Sequence, residues 1–110
     1  MKVFEVASRI VWSGEYILGF DETGSHACYL IYGVLRVGEK GRELRPGRGY
    51  EEMIMVVTGG LTLTGAVAVT LKQGQAIHLK GEETCFAENR TASEAVYVVS
   101  RGHRASSHNH

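Results

Sequence analysis

The sequence predicts one all-β domain, a barrel or sandwich of short antiparallel strands. Fourteen glycines and a single proline separate short runs rich in Val, Ile, Leu, Tyr and Thr. This composition is typical of strands joined by tight turns. No segment of useful length shows helical periodicity. At 110 residues, the chain is long enough to bury one hydrophobic core without cross-links.

Six apolar runs mark the predicted strands, and several lie about eight to twelve residues apart, as in sandwiches and barrels. The runs are 27–37, 53–58, 61–64, 66–71, 75–79 and 95–100. Turn residues separate them: Gly59 and Gly60 follow the second run, Gly65 the third, and Gly74 the fourth. We therefore expect hairpins and antiparallel pairing.

The apolar pattern also predicts which strand faces are covered. Large apolar residues alternate with small or polar ones within 61–64 and 67–71, as expected when one face meets a core. Residues 28–35 are apolar almost throughout, so we expect both faces of that strand to be covered, one by the barrel interior and one by a partner subunit. A homodimer follows as an expectation.

The predicted domain is a barrel at 1–102, with its core at 28–101, followed by a flexible tail at 103–110. Residues 38–49 are glycine-rich and charged, which indicates a mobile loop. From Arg101 onward no apolar residue is larger than alanine, so we expect the chain to fray there.

Composition and charge exclude several classes of partner. Twelve basic and twelve acidic side chains cancel, and neither sign forms a long run, which argues against nucleic acid and anionic membrane surfaces. The N-terminus lacks a signal-peptide pattern, and no apolar stretch approaches the roughly 18 residues of a membrane span. Cys28 and Cys85 show no C-x-x-C spacing. We expect a cytoplasmic protein with reduced cysteines.

Two spacings resemble the motifs of the cupin superfamily. In the first, six residues separate Glu52 from Gly59, which is the spacing of the glutamate and the turn glycine in the family's first motif. In the second, Gly74 opens a strand that leads to Cys85 and Asn89, where the family has a glycine, a histidine and an asparagine. The resemblance implies a jelly-roll barrel (double-stranded β-helix) of about eight strands, often dimeric, with a small-molecule pocket at its mouth.

The departures from those motifs concern the metal. The family's usual site needs a His-x-His pair, a glutamate and a third histidine, which together bind Fe, Mn, Ni or Zn. Here the segment 45–49, with Arg45 and Arg48, replaces the pair, and Cys85 replaces the third histidine. Arginine stays protonated and repels a cation. We therefore predict no metal site and no cofactor; a divalent metal on the ligand types that remain, Glu52 and Cys85, is the alternative.

The candidate ligand-binding residues in the sequence are Arg45, Arg48, Glu52, His78 and Cys85. Glu52 is also the candidate catalytic residue. It either points into the barrel and ionises beside Arg45 or Arg48, orienting a polar ligand or acting as a general base, or it is a solvated strand start.

Two of these candidates, Cys85 and His78, each have two possible interpretations. Cys85 is a nucleophile or soft ligand if a cation such as Lys80 lowers its pKa, or else an inert packing group. His78 lies mid-strand between Ile77 and Leu79 and serves as acid, base or ligand if it faces the cavity; otherwise it is a surface or hydrogen-bonded histidine.

For the aromatic residues and the tail histidines, structural or incidental roles are the favoured interpretation. The strand tyrosines suit either a pocket or ordinary strand packing, and packing is favoured; they are Tyr29, Tyr32, Tyr50 and Tyr97. Trp12 is expected to pack the N-terminal segment against the body or a second subunit. The histidines of the tail are compositional hints of metal binding only; they are His103, His108 and His110.

Three functional hypotheses follow. The first is a binding module that holds a small polar or anionic ligand without a metal, with the arginines favouring an anion. The second is an enzyme, because the step Glu51-Glu52-Met53 is similar to one in the small cupins that act as nucleoside phosphorylases. The third, a metal-dependent dioxygenase or isomerase, is common in the family and is opposed by the missing His-x-His pair.

Overall fold

Nine strands form two antiparallel sheets within residues 1–10 and 13–103, which are the residues that the computed structural model describes. The five-stranded sheet has the order β1-β2-β9-β4-β7, and its members are β1 (Glu15–Leu18), β2 (Cys28–Leu35), β9 (Ala95–His103), β4 (Tyr50–Thr58) and β7 (Ala76–Lys80). The four-stranded sheet has the order β3-β8-β5-β6, and its members are β3 (Arg42–Leu44), β8 (Cys85–Glu88), β5 (Gly60–Gly65) and β6 (Val69–Lys72). This is the all-β jelly-roll architecture that the sequence predicts.

Two short helical turns complete the described chain. A 3₁₀ turn covers Ala7–Arg9, and the single α-helical turn α1 covers Phe20–Thr23 between β1 and β2. No helix among the described residues is long and apolar enough to span a membrane.

The core lies between the sheets and follows from period-two alternation along each strand. In β4, Ile54 and Val56 face inward and are fully buried, whereas Met53 and Met55 face outward. The same alternation in the other strands adds the remaining large buried residues, Leu35, Leu61, Leu63, Leu71, Leu79, Tyr97 and Val99.

Gly65 lies at the hairpin between β5 and β6, as the sequence predicts, but two other turn glycines have a different role. Gly59 and Gly74 do not close hairpins, because β4 and β7 belong to one sheet and β5 and β6 to the other. At Gly59 the chain passes between sheets just after a bulge at Val56 to Thr58. Its φ is +77°, and a Cβ there would lie 2.9 Å from the carbonyl oxygen of Glu94, so only glycine fits.

Asn89, the last residue of the second motif, has a structural role. It is fully buried, and its side-chain nitrogen donates to the carbonyl oxygens of Leu35 and Ser93 at 3.0 and 2.9 Å. Its side-chain oxygen accepts from the backbone N–H and the hydroxyl of Thr91. Asn89 therefore ties the β8–β9 connection to the end of β2.

Strands extend into two segments that the sequence predicts to be irregular. The charged segment 38–49 contains β3, which pairs with β8; Arg42 there donates to the carbonyl oxygen of Val34 at 2.8 Å, so its charge is bound rather than solvated. The predicted tail also begins too early, because β9 continues through Arg101 to His103, where His103 pairs with Tyr50. Residues 104–110, with His108 and His110, lie outside the described residues, as does Trp12.

Candidate functional site

Glu52 points into the barrel. Alternation along β4 turns its side chain inward and that of Glu51 outward, and Glu52 is only 2% exposed. In the sheet it lies opposite Leu79 of β7 on one side and Arg101 of β9 on the other. The interpretation of Glu52 as a solvated strand start is therefore wrong.

The partner of Glu52 is Arg101. The Arg101 Nε donates to Glu52 Oε2 at 2.6 Å, and Nη2 lies 2.5 Å from the same oxygen. The other carboxylate oxygen, Oε1, is buried without a hydrogen-bond partner. Burial raises the pKa of Glu52; Arg101 opposes this effect, and the Glu15 carboxylate adds to it.

A cavity of about 210 Å³ opens beside this ion pair at the mouth of the barrel. Its polar lining comes from five charged residues, Glu15, Glu43, Arg45, Glu52 and Arg101, and apolar side chains line the rest. Acidic and basic residues thus border one small space. The Glu43 side chain itself faces outward, because its neighbour in β3, Leu44, faces the core. The cavity can contact both donor and acceptor groups of a ligand.

Partly buried hydrogen bonds hold Glu15 in place. The Tyr97 hydroxyl donates to Glu15 Oε2, and Arg42 Nη1 donates to the same hydroxyl at 3.2 Å. Burial, together with the Glu15 charge, raises the pKa of Tyr97. The ring of Tyr97 fits because its neighbour is Gly33, where a Cβ would lie 2.1 Å from Tyr97 Cζ.

The structure places the two loop arginines differently. Both are exposed, and Arg45 lines the cavity whereas Arg48 is not among its lining residues. Neither forms an ion pair with Glu52, so the prediction that one of them neutralises Glu52 is wrong. The register of β4 and β9 supplies Arg101 instead.

His78 lies on the opposite side of the sheet from the cavity. Ile77 and Leu79 face the core, so His78 faces outward; its side chain is 51% exposed and its Nε2 lies 2.7 Å from Glu51 Oε1. His78 is therefore a surface residue that does not line the barrel cavity; together with Glu52 it lines a groove of about 470 Å³ along the sheet. Consequently Glu52, His78 and Cys85 do not converge in one cavity.

Cys85 is buried and faces inward between Leu44 of β3 and Gly65 of β5. Burial, followed by the nearby Glu52 charge, raises the pKa of its thiol to about 11. Lys80, the suggested activating cation, is exposed. The thiol thus stays protonated at neutral pH, which favours the packing role over the nucleophile.

The residues present do not fit the family's metal site. Among the described residues, no three His, Cys, Asp or Glu side chains are grouped so that they could hold a metal ion. The carboxylate of the first motif, Glu52, already binds the guanidinium of Arg101. A protein cation therefore lies against the one motif ligand that the sequence retains.

Sequence reasoning missed Arg101, Glu15 and Glu43. Arg101 continues the inward series Ala95, Tyr97 and Val99 at a spacing of two, so extending that strand by one step would have found it. No local signal marks Glu15 or Glu43, because β1 and β3 are only four and three residues long.

Comparison with known proteins gives a fold but no sequence relative. No family model matches the chain, and no curated protein matches it in sequence. A cupin protein from Bacteroides fragilis is similar in structure, with a TM-score of 0.73 and 13% identity over 100% of this chain and 87% of that one.

Two further structures have named activities. An oxalate oxidase bound to glycolate matches with a TM-score of 0.71 and 16% identity over 90% of this chain, which spans 56% of that chain. A sugar phosphate isomerase of the cupin superfamily from Silicibacter pomeroyi matches with a TM-score of 0.64 and 19% identity, over 94% of this chain and 68% of that one. The two sheets, the motif spacing and these matches agree: the chain has the fold of the cupin superfamily.

Proposed function

We propose that the protein binds a small polar ligand in the barrel cavity, without a metal. The observation that carries the proposal is Glu52 Oε1, a carboxylate oxygen that is buried and has no partner. An unsatisfied buried polar group costs about 1–3 kcal/mol, and more when charged. A ligand that donates a hydrogen bond to this oxygen removes that cost.

The charges around the cavity indicate the class of ligand. Glu52 needs a donor, such as a hydroxyl or ammonium group, while Arg45 supplies an exposed guanidinium that suits a carboxylate or phosphate. Glu15 adds a further acceptor. This mixture favours a molecule with both a donor and an anionic group over a simple anion.

The cavity volume favours a small ligand. The cavity of about 210 Å³ is smaller than the roughly 300–1,000 Å³ of typical small-molecule pockets. It has the space of about seven water molecules at ~30 Å³ each. A small hydroxy acid or amino acid fits this space better than a nucleoside.

Glycolate, acetate and ethylene glycol test this proposal, because glycolate carries a hydroxyl and a carboxylate and each of the others carries one kind of group. At ten times its Kd, glycolate stabilises the folded state by about 1.4 kcal/mol, which raises the Tm of a chain of this length by about 6 °C. We expect smaller shifts with acetate and ethylene glycol.

The variant Glu52→Gln should lose the glycolate response, because it removes the carboxylate that accepts from the ligand. Glu51→Gln is the matched control, since Glu51 is the neighbouring residue and faces away from the cavity. Equal responses of the two variants, or no shift with any of the three compounds, would contradict the proposal.

Catalysis by Glu52 is the second candidate. A buried carboxyl with a raised pKa beside a guanidinium is a suitable proton donor or acceptor. For a reaction like that of the nucleoside phosphorylases, the assay is phosphate-dependent release of base from uridine or inosine, with Glu52→Gln as the variant.

A metal-dependent oxidase or isomerase would instead require stoichiometric metal in protein that lacks residues 104–110.

We propose that the protein is located in the cytoplasm. Cys28 and Cys85 are both free, and Cys28 is exposed. Unpaired thiols of this kind stay reduced in that compartment.

A further inference from the structure

The carboxylate of Glu15 brings an uncompensated negative charge to the barrel cavity. Glu15 lines the cavity, and within residues 1–10 and 13–103 it forms no ion pair with a lysine, arginine or histidine. Its hydrogen-bond donor is the hydroxyl of Tyr97, which stays protonated because burial and the Glu15 charge raise its pKa. Glu52, by contrast, is paired with Arg101. The two carboxylates therefore differ, because a cation compensates Glu52 and a neutral group binds Glu15.

The register of three strands brings the Tyr97 hydroxyl to Glu15. Glu15 of β1 lies opposite Gly33 of β2, and Gly33 lies opposite Tyr97 of β9. The Tyr97 ring lies over Gly33, where a Cβ would be 2.5 Å from the hydroxyl oxygen, so the hydroxyl reaches past β2 to β1. Arg42 Nη1 donates to that oxygen at 3.2 Å, which leaves the hydroxyl proton for Glu15. Tyr97 and Arg42 are thus positioning residues for the Glu15 carboxylate.

The opposite charge at this cavity belongs to Arg45. Its side chain is exposed and forms no ion pair with a described carboxylate. Its backbone carbonyl oxygen accepts from Arg101 Nη2 at 3.5 Å, which keeps Arg45 next to the buried ion pair. Arg101 is committed to Glu52, and Glu43 faces outward. The charges that remain for a ligand are those of Glu15 and Arg45, one negative and one positive.

We propose that the ligand is a zwitterion, a small amino acid whose ammonium group binds Glu15 and Glu52 Oε1 and whose carboxylate pairs with Arg45. This inference rests on the proposed ligand site and names the class of its occupant. An ammonium group has three donors, enough for Glu15 and for the partnerless Glu52 Oε1 together, whereas a hydroxyl has one. A simple anion would match Arg45 and be repelled by Glu15.

Glycine and glycolate test this inference, because at neutral pH they carry an ammonium group and a hydroxyl, respectively, on the same two-carbon acid. The ammonium group makes one more charge-assisted hydrogen bond than the hydroxyl does. We therefore expect glycine to bind the full chain about tenfold more tightly than glycolate, as measured by isothermal titration calorimetry. Glycinamide, which lacks the carboxylate, should bind more weakly than glycine.

Three variants separate the charge of Glu15 from its surroundings. Glu15→Gln keeps an oxygen that can accept from Tyr97, and it should weaken glycine binding about tenfold without weakening glycolate binding. Tyr97→Phe keeps the ring and removes the hydroxyl that positions Glu15, so it should reduce the preference for glycine in the same direction. Glu51→Gln is the control and should retain the full preference, since Glu51 faces away from the cavity.

The possible failures can be told apart. If glycolate binds and depends on Glu52 but glycine binds no more tightly, the ligand site stands and the zwitterion is wrong. A wild-type preference in Glu15→Gln would overturn the inference in the same way, and one in Tyr97→Phe would overturn the positioning role of Tyr97. If neither glycine nor glycolate binds, the ligand site and the zwitterion are both wrong.

Discussion

Replacing Arg101 with methionine should destabilise the protein strongly, because it leaves the buried Glu52 carboxylate without a counter-charge. Breaking a buried ion pair at one partner costs about 3–5 kcal/mol. The Glu52 side chain is 1% exposed and that of Arg101 is 25% exposed, which places the loss near the lower limit, about 3 kcal/mol. For 110 residues this corresponds to a fall in Tm of about 13 °C.

The stability of Arg101→Met should depend on pH in a definite direction, which is set by the pKa of Glu52. Arg101 lowers the pKa of Glu52 against the larger effect of burial, so the pKa of Glu52 should rise further in Arg101→Met. The folded state then holds a proton that the unfolded state releases near the ordinary carboxyl pKa of 4.5. The variant should therefore be most stable below that pH and lose stability as the pH rises through the raised pKa.

Urea unfolding at about pH 5 and pH 8 measures both effects. Arg48→Met is the control for loss of an arginine, since Arg48 is exposed, and its cost should stay within about 0.5 kcal/mol. The double variant Glu52→Met/Arg101→Met should recover at least half of the loss, because it removes both charges. A loss below about 1 kcal/mol for Arg101→Met, or no recovery in the double variant, would refute the buried ion pair.

Three further predictions concern the interior. Because the pKa of Glu52 is raised, wild-type stability should include a component that declines as the pH rises above about 4.5, and Glu52→Gln should remove that decline in pH-dependent unfolding curves; an unchanged curve would contradict the buried carboxyl. Iodoacetamide at about pH 8 should modify the exposed Cys28 and spare the native Cys85, whose pKa is about 11, and peptide mass spectrometry would reveal the opposite order. Gly33→Ala would place a Cβ against the Tyr97 ring and should cost about 1–3 kcal/mol in urea unfolding, whereas a cost near zero would mean that the ring does not lie there.

Local pattern predicted the parts of the fold that depend on neighbouring residues. The six apolar runs correspond to β2, β4, β5, β6, β7 and β9, because period-two burial leaves a direct trace in sequence. The spacing of Glu52 and Gly59 is also realised, with Glu52 inside the barrel and Gly59 at the passage between sheets. Turn glycines alone did not distinguish a hairpin from such a passage, since both require the same positive φ.

The contacts that the sequence did not reveal depend on pairing between strands that are far apart along the chain. Arg101 meets Glu52 only through the register of β9 against β4, which joins residues 49 positions apart. Alternation gave the facing of His78 relative to Ile77 and Leu79 but not which face was the interior. Glu15 reaches the cavity because Tyr97, 82 positions away, binds it.

A crystal structure of the protein soaked with glycolate tests the proposed ligand site most directly. We predict glycolate in the barrel cavity, with its hydroxyl within about 2.6–3.2 Å of Glu52 Oε1 and the Arg101 ion pair to Oε2 retained. Glycolate bound only outside the barrel, or a Glu52 side chain turned out to solvent, would contradict it.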